Sequence, residues 1–206
     1  MMESMDSFLE RLAEPTAAPG GGAASASVTI IASSLVSMVA GLTVGKKGYE
    51  NYQQNIVAIL ERSKDIRSEL RKLMEEDEKV FGLIVSAWKL PKNTEEEKNN
   101  RSLEIAKASL EATKVPWKIA STSQEVLIQA ALIARIGIKS AATDAGCALE
   151  FSMAAIKGAL ENIKINLKSV RNEEIKESEN MKMKVFMEDS EATYLDGLKV
   201  VEERIV

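Results

Sequence analysis

Few side chains in this 206-residue sequence can move a proton near neutral pH, because it contains no histidine and a single cysteine, Cys147. Any acid–base chemistry must therefore come from Asp, Glu, Lys, Tyr or bound water. One cysteine excludes an internal disulfide, and one cysteine without histidine excludes the usual zinc ligand sets. We therefore expect no metal site.

Three consecutive glycines, Gly20–Gly22, stand at the start of an uncharged segment that extends to Gly45. Backbone amides at a glycine-rich helix start approach a ligand closely and favour an anion or a polarised oxygen. The same triplet is more often a tight turn that opens a helix. No GxxxxGK[ST] pattern is present and no strand precedes the glycines, so phosphate-loop and dinucleotide sites are excluded.

Two lysines and a tyrosine, Lys46, Lys47 and Tyr49, follow the other end of the uncharged segment. Lysines after a helix C-terminus complement the helix dipole, which is the simpler interpretation. The alternative is a cationic clamp for a substrate that carries a carboxylate. Nothing else in this stretch decides between the two.

Three more polar residues stand in apolar surroundings further along the chain. Asp144 lies in the segment SAATDAGCALEF, where close packing requires a specific partner for a carboxylate. Asn162 and Asn166 lie one helical turn apart in ALENIKINLKS. Amides placed in this way either bridge helices or bind a ligand, and both interpretations stay open.

The elements that must position these residues are all helical. Hydrophobic residues make up 45% of the chain, aromatic residues only 4%, and apolar positions recur at helical spacing. Predicted helices cover residues 4–13, about 21–44, 51–88, 94–136 with an interruption near Pro116, about 140–170 and 172–202. Thr94 with Glu97 predicts a capping box, and Ser140 or Thr143 is expected to cap the fifth helix. We predict a single domain over residues 1–206, an up-and-down bundle of five to six long helices.

The uncharged segment 20–45 is long enough to cross a membrane, but seven serine and threonine residues interrupt it. The residues before it are acidic, unlike the basic start of a signal peptide. We therefore predict a helix buried on most sides and a cytoplasmic protein. The net charge of -4 argues against a general nucleic-acid binder.

Helix geometry places the candidate residues in two clusters. Asp144 and Asn162 share a helix face but lie about 27 Å apart, too far for one site within a subunit. In an alternating bundle Asp144 lies at the end of Lys46, Lys47 and Tyr49, while Asp77, Asn162 and Asn166 lie toward the glycines. Long helices leave apolar stripes uncovered, so we expect a homodimer, and an antiparallel one would join the two clusters at its interface.

Four segments occur in an order that identifies a family: PGGGAAS (19–25), LVSMVAGLTVGKKGY (35–49), EEDEKVFGLIVSAWKLPK (75–92) and TDAGCALEF…IKGALENIKINLKS (143–169). Over about residues 5–170 the chain resembles the cyclodeaminase domain of formiminotransferase-cyclodeaminase and the stand-alone methenyltetrahydrofolate cyclohydrolases. The resemblance implies an all-α homodimer that acts on tetrahydrofolate one-carbon units. Its reaction is 5-formiminotetrahydrofolate to 5,10-methenyltetrahydrofolate plus ammonia, or 5,10-methenyltetrahydrofolate plus water to 10-formyltetrahydrofolate.

The resemblance also implies roles for the candidate residues. A carboxylate suits the proton transfers at the carbon between N5 and N10, with Asp144 as first choice and Asp77 as second. Lys46 and Lys47, with Tyr49 beside them, would pair with the glutamate carboxylates of the folate. The substrate would be a tetrahydrofolate derivative, with no tightly bound cofactor. The remaining predicted contacts to the pterin or the pocket wall are Gly20, Gly21, Gly22, Asn162 and Asn166.

Two positions depart from the family pattern. Ala23 stands where a serine usually follows the glycines, and the segment KSAATD lacks the asparagine that commonly precedes the Ser-Asp pair. A non-enzymatic helical folate-binding or scaffold protein of the same fold is therefore the alternative. The longer spacing PTAAPGGG is nearer the cyclohydrolase branch, but the sequence leaves both reactions open.

Overall fold

The structure is a computed structural model, and it describes residues 4–206. The described residues form seven α-helices and two short 3₁₀ turns, with no β-strand, which confirms the predicted all-α class. The helices are α1 (Met5–Ala13), α2 (Gly21–Thr43), α3 (Gln53–Trp88), α4 (Glu95–Glu111), α5 (Lys114–Ile136), α6 (Ala142–Leu167) and α7 (Glu173–Ile205). The 3₁₀ turns are Glu50–Tyr52 and Lys139–Ala141.

Side-chain caps fix the starts of two long helices. Thr94 accepts a hydrogen bond from the Glu97 N–H, and Glu97 reaches back, so the predicted capping box at α4 is confirmed. Asn172 accepts from the Ile175 N–H at the start of α7. The predicted cap of α6 by Ser140 or Thr143 is wrong. The chain enters α6 from the 3₁₀ turn through Ala141, and no side chain caps the helix there.

The predicted fourth helix, 94–136, is interrupted as expected, and the break makes it two separate helices. α4 ends at Glu111 and α5 begins at Lys114, and the Thr113 hydroxyl donates to the Leu110 carbonyl at 2.7 Å between them. Pro116 lies in the first turn of α5, where the missing N–H removes no helical hydrogen bond. The bundle therefore has six long helices and the short α1.

Helix α2 lies in the centre of the bundle and packs against α3, α5 and α6. Its alanines and small polar residues allow this close approach, and the Thr29 and Ser123 hydroxyls meet at 2.6 Å inside the core. α2 is long and apolar enough for a membrane span by length and composition alone. Its packing against three helices is that of a bundle core, which agrees with the predicted buried helix.

One side of α2 is nevertheless uncovered. Five apolar residues recur there with alternating spacings of three and four, the seven-residue repeat of a helix that packs on another helix. Ile31, Met38 and Leu42 expose 41%, 42% and 48% of their surface. Val28 and Leu35 complete the row and are half-buried. We call these five residues the α2 stripe.

Polar contacts show that α2 is antiparallel to both α3 and α6. Ser33 donates to the Ser63 carbonyl of α3, while Ser27, nearer the start of α2, contacts Met74 further along α3. On the other side, the Thr43 hydroxyl accepts from the N–H of Ile138, just before α6 begins. The start of α2 therefore meets the second half of α3 and the end of α6, and the end of α2 meets the start of both.

Candidate active site

A cavity of about 490 Å³ opens at the start of α2, between the second half of α3, the end of α6, and α4. Gly20 and Gly21 line it, and so do Asp77, Asn162 and Asn166. The structure thus brings five of the ten predicted site residues around one cavity. The other lining residues are Ala17, Ala18, Val80, Phe81, Ile84, Trp88, Ser109, Ala112, Ile165, Lys168 and Ser169.

The Asp77 carboxylate lies directly against the start of α2. It accepts a hydrogen bond from the backbone N–H of Ala23, and a Cβ on Gly22 would overlap the carboxylate oxygens. The third glycine is therefore needed because any larger residue would push the carboxylate away. Burial raises the pKa of Asp77 above its ordinary value, and the Ala23 N–H opposes that shift.

The two asparagines of α6 differ in what holds them. The Asn162 amide group lies against Gly21, where a Cβ would come within 2.9 Å of Nδ2, and it donates to the Gly158 carbonyl at 2.9 Å. Asn166 donates to the Ala112 carbonyl at the end of α4, at 3.0 Å. Asn166 thus bridges two helices, which is the first interpretation drawn from the sequence, and it also lines the cavity, so its binding of a ligand stays a prediction.

The cavity combines a half-buried carboxylate with two amide side chains and an apolar wall. A carboxyl group whose pKa is raised by burial accepts a proton more readily than a fully solvated one. Phe81 and Ile84 give the cavity an apolar wall, and a cavity with an apolar wall and a few polar groups is typical of a small-molecule site. The arrangement suits proton transfer to and from such a ligand.

Sequence reasoning did not single out Phe81, Trp88 or Lys168 as site residues. A signal for the first two was present: Asp77, Phe81 and Trp88 are four and seven residues apart and so share one face of α3. Lys168 follows the last turn of α6, and only the position of that helix end brings it to the cavity.

Gly22 lies at the start of α2 against Asp77, and the other four predicted site residues lie at the opposite end of that helix. Lys46 and Lys47 are exposed in a turn bounded by Gly45 and Gly48, whose φ angles are 69° and 90°. The 23 residues of α2 put this turn about 34 Å from the glycine triplet. The turn is thus remote from the cavity.

Tyr49 and Asp144 lie near the two lysines. The Tyr49 hydroxyl accepts a hydrogen bond from the Lys139 N–H at 3.2 Å, which ties the turn to the segment before α6. Asp144 is half-buried in the first turn of α6. The predicted separation into two clusters is therefore found, and the first-choice carboxylate belongs to the cluster that is remote from the cavity.

Within residues 4–206, no group of three or more His, Cys, Asp or Glu side chains is arranged to hold a metal ion.

The fold and the cavity define a class of protein: an all-α domain with a carboxylate held at the glycine-rich start of its central helix. The family model described as formiminotransferase-cyclodeaminase matches residues 4–185. The chain belongs to this family, as its motifs predicted.

Individual relatives agree with the family match. The chain is 35% identical over 168 residues to methenyltetrahydrofolate cyclohydrolase of Methylorubrum extorquens, covering 82% of this chain and 81% of that protein. It is 27% identical over 187 residues to formimidoyltransferase-cyclodeaminase of Rattus norvegicus, covering 91% of this chain but only 35% of the rat protein.

A solved structure shares the whole fold. Formiminotetrahydrofolate cyclodeaminase from Thermotoga maritima superposes with a TM-score of 0.82 at 27% identity, covering 98% of this chain and 95% of the other.

Proposed function

We propose that this chain is a methenyltetrahydrofolate cyclohydrolase, which converts 5,10-methenyltetrahydrofolate and water to 10-formyltetrahydrofolate. Membership of the family makes it a folate one-carbon enzyme of the cyclodeaminase or cyclohydrolase type. The 35% identity to the cyclohydrolase of Methylorubrum extorquens, over most of both chains, supports the choice between the two reactions. The observation that carries the proposal is the half-buried Asp77 carboxylate on the cavity wall.

The reaction needs a group that both stabilises positive charge and moves protons. The methenyl carbon carries the charge of an amidinium ion shared by N5 and N10. Water adds to this carbon and gives up both of its protons in turn. The C–N5 bond breaks as the C=O bond forms, N5 takes up one of these protons, and the other is released. In the proposed mechanism Asp77 pairs with the cation, accepts the proton of the water, and returns a proton to N5.

The neighbouring groups of the cavity would orient the substrate. The side chains of Asn162 and Asn166 offer amide groups to the polar edge of the pterin. Gly20 and Gly21 let the substrate approach the backbone closely. The apolar residues of α3 would exclude bulk water from the reacting carbon, which strengthens the electrostatic effect of Asp77.

A cyclodeaminase is the second candidate, supported by the likeness to the enzyme of Thermotoga maritima. In that reaction N10 of 5-formiminotetrahydrofolate attacks the formimino carbon, the C–NH₂ bond breaks, and ammonia leaves. The same carboxyl group would protonate the leaving amine. Both reactions pass through a tetrahedral carbon at the same place, so one cavity would serve either.

We further propose that the active form is a homodimer in which the α2 stripe covers its own copy. Leu35 is the centre of the stripe, and the two end residues, Val28 and Leu42, lie equally far from it. In an antiparallel pair that crosses at Leu35, Val28 of one subunit lies opposite Leu42 of the other, and the start of α2 in one subunit lies toward the end of α2 in the other.

This pairing would give a role in the site to the cluster at the end of α2, which consists of Lys46, Lys47, Tyr49 and Asp144. Lys46 and Lys47 of one subunit would come to the cavity end of the other, where they would meet the glutamate carboxylates at the end of a bound folate that lies away from its pterin. Asp144 would approach from the same side as a second carboxylate. Each site would then contain the cavity of one subunit and the lysine turn of its partner.

One assay separates the candidates. The purified protein is given 5,10-methenyltetrahydrofolate in one reaction and 5-formiminotetrahydrofolate in another, and the methenyl absorbance is followed against the uncatalysed rate. Accelerated loss of the band in the first reaction supports the cyclohydrolase. Gain of the band in the second supports the cyclodeaminase. No acceleration in either, with no folate binding by calorimetry, would contradict the enzyme proposal and favour a scaffold.

A further inference from the structure

An exposed tryptophan lies on the wall of the candidate site. Trp88 lines the cavity and still exposes 48% of its surface. Its ring packs edge-to-face on Phe81, with centroids 6.1 Å apart and an interplanar angle of 84°. An aromatic pair of this kind holds its outer ring in place while leaving a broad face open to a ligand.

The position of the pair along α3 relates it to the reacting group. Phe81 lies one helical turn beyond Asp77, which is about 6 Å along the helix axis. Trp88 follows two turns later, but helical side chains lean back toward the N-terminus, which brings its ring to Phe81. The Trp88 ring therefore lies further along α3 than the carboxylate, beyond Phe81, and both line the same cavity.

We propose that Trp88, supported by Phe81, stacks on the p-aminobenzoyl ring of the folate substrate. The inference rests on the proposed function, because it takes Asp77 to stand at the carbon between N5 and N10. The p-aminobenzoyl ring is attached at N10, so it extends away from that carbon toward Trp88. The pterin would occupy the side of the glycine turn and Asn162.

A purely structural role explains Trp88 less well. The link between the end of α3 and α4 is made by the Trp88 backbone carbonyl, which accepts from Arg101 Nε at 3.0 Å. That hydrogen bond does not depend on the side chain. Since half of the side chain is exposed, its removal leaves the core intact.

The chain has a second tryptophan that serves as an internal control. Trp117 is 9% exposed and lies between α5 and α7, outside the cavity. Its ring packs on Phe186 at 5.6 Å, and its Nε1–H donates to Glu179. Trp117→Phe leaves Trp88 as the single tryptophan, and Trp88→Phe leaves Trp117.

The experiment follows tryptophan emission during titration with p-aminobenzoylglutamate, 5-formyltetrahydrofolate or a pterin that lacks the benzoyl arm. N-acetyltryptophanamide corrects for light absorbed by the ligands. In Trp117→Phe, the first two ligands should quench emission in a saturable way and the pterin should not. In Trp88→Phe, none should. Circular dichroism shows whether each variant is folded. If Trp117→Phe is not, the quenching that the native protein shows and Trp88→Phe lacks gives the same answer.

Steady-state kinetics provide a second readout. Trp88→Leu should raise KM on the order of tenfold while kcat changes by less than about twofold, because stacking holds the ring equally in ground and transition states. Trp88→Phe should restore most of the affinity. Quenching by the pterin alone, or an unchanged KM in Trp88→Leu, would overturn the inference. If folate binding and turnover persist while Trp88 emission stays constant, this inference fails and the proposed function stands. Absence of folate binding in the native protein would overturn both.

Discussion

The two ends of helix α2 present opposite surroundings. At its start the chain enters the helix inside the bundle, and the Asp77 carboxylate meets the Ala23 N–H beside a cavity. At its end the chain leaves into an exposed turn that carries Lys46 and Lys47. The helix dipole favours both arrangements, since amides at the start attract an anion and carbonyls at the end attract cations.

The difference teaches that charge complementarity alone does not make a site. Both ends satisfy the dipole, but of the two only the glycine end combines its charge with the cavity lined by Asp77. The lysine end gains a catalytic or binding role only if a second subunit brings it to a cavity. Variants at the two ends of α2 and at the α2 stripe test whether the two ends work separately or together.

The largest expected effect comes from Asp77→Asn. If Asp77 transfers the protons, this substitution should lower kcat by about 10²- to 10⁴-fold, because the amide keeps the shape and loses the acid–base function. Methenyl absorbance in stopped-flow or steady-state assays measures the change. Glu76→Gln is the matched control. Glu76 precedes Asp77 in the sequence and forms a surface ion pair with Lys118, so this variant should keep full activity. A fully active Asp77→Asn enzyme would remove Asp77 from the mechanism.

Leu35→Glu should break the dimer and so separate the glycine end of one subunit from the lysine turn of its partner. A carboxylate at the centre of the α2 stripe would meet its own copy across the twofold axis and oppose association. We expect a monomer by size-exclusion chromatography with light scattering, and roughly a tenfold or greater loss of activity as the partner's lysine turn departs. Val185→Glu adds the same charge at an exposed position of α7 and should stay dimeric and active. A dimeric, active Leu35→Glu protein would refute the stripe as the interface.

A mixed dimer tests whether one site draws on two subunits. Asp77→Asn and Asp144→Asn are each expected to be inactive as homodimers. A dimer of one with the other has one site with both carboxylates intact if the two come from different subunits. Co-expression should therefore recover about a quarter of native activity, since half of the dimers are mixed and each has one working site. If mixed dimers, verified by two affinity tags, show no recovery, then Asp77 of one subunit and Asp144 of its partner do not act in the same site.

The smallest effects concern the glycines. Gly22→Ala should destabilise the fold by about 1–3 kcal/mol and reduce activity, because the added methyl displaces the Asp77 carboxylate. Gly82→Ala is the control on α3, where a Cβ meets nothing within 4 Å, and it should stabilise by about 0.5–1 kcal/mol. Urea unfolding of both variants measures the difference. Equal stability of the two would show that the carboxylate yields freely to a larger residue.

The sequence determined the helical class and most helix limits, because apolar spacing and caps are local. Thr94 with Glu97 and the break near Pro116 are examples. It also assigned Asp77, Asn162 and Asn166 to the glycine end, since alternating helices leave only two ends to choose from. The predicted side-chain cap of α6 was wrong because the chain enters that helix from a 3₁₀ turn through Ala141, whose side chain cannot cap a helix.

Only the tertiary structure decided which of these residues touch. Periodicity tells which face of a helix is apolar, but the number and angle of its neighbours decide which faces are covered. For that reason the contact of Asp77 with Gly22, the bridge from Asn166 to α4, and the exposed ring of Trp88 depend on the packing of distant segments. The same is true of the α2 stripe: its residues are as apolar as those of the core, and only the absence of a neighbouring helix among the described residues leaves them exposed.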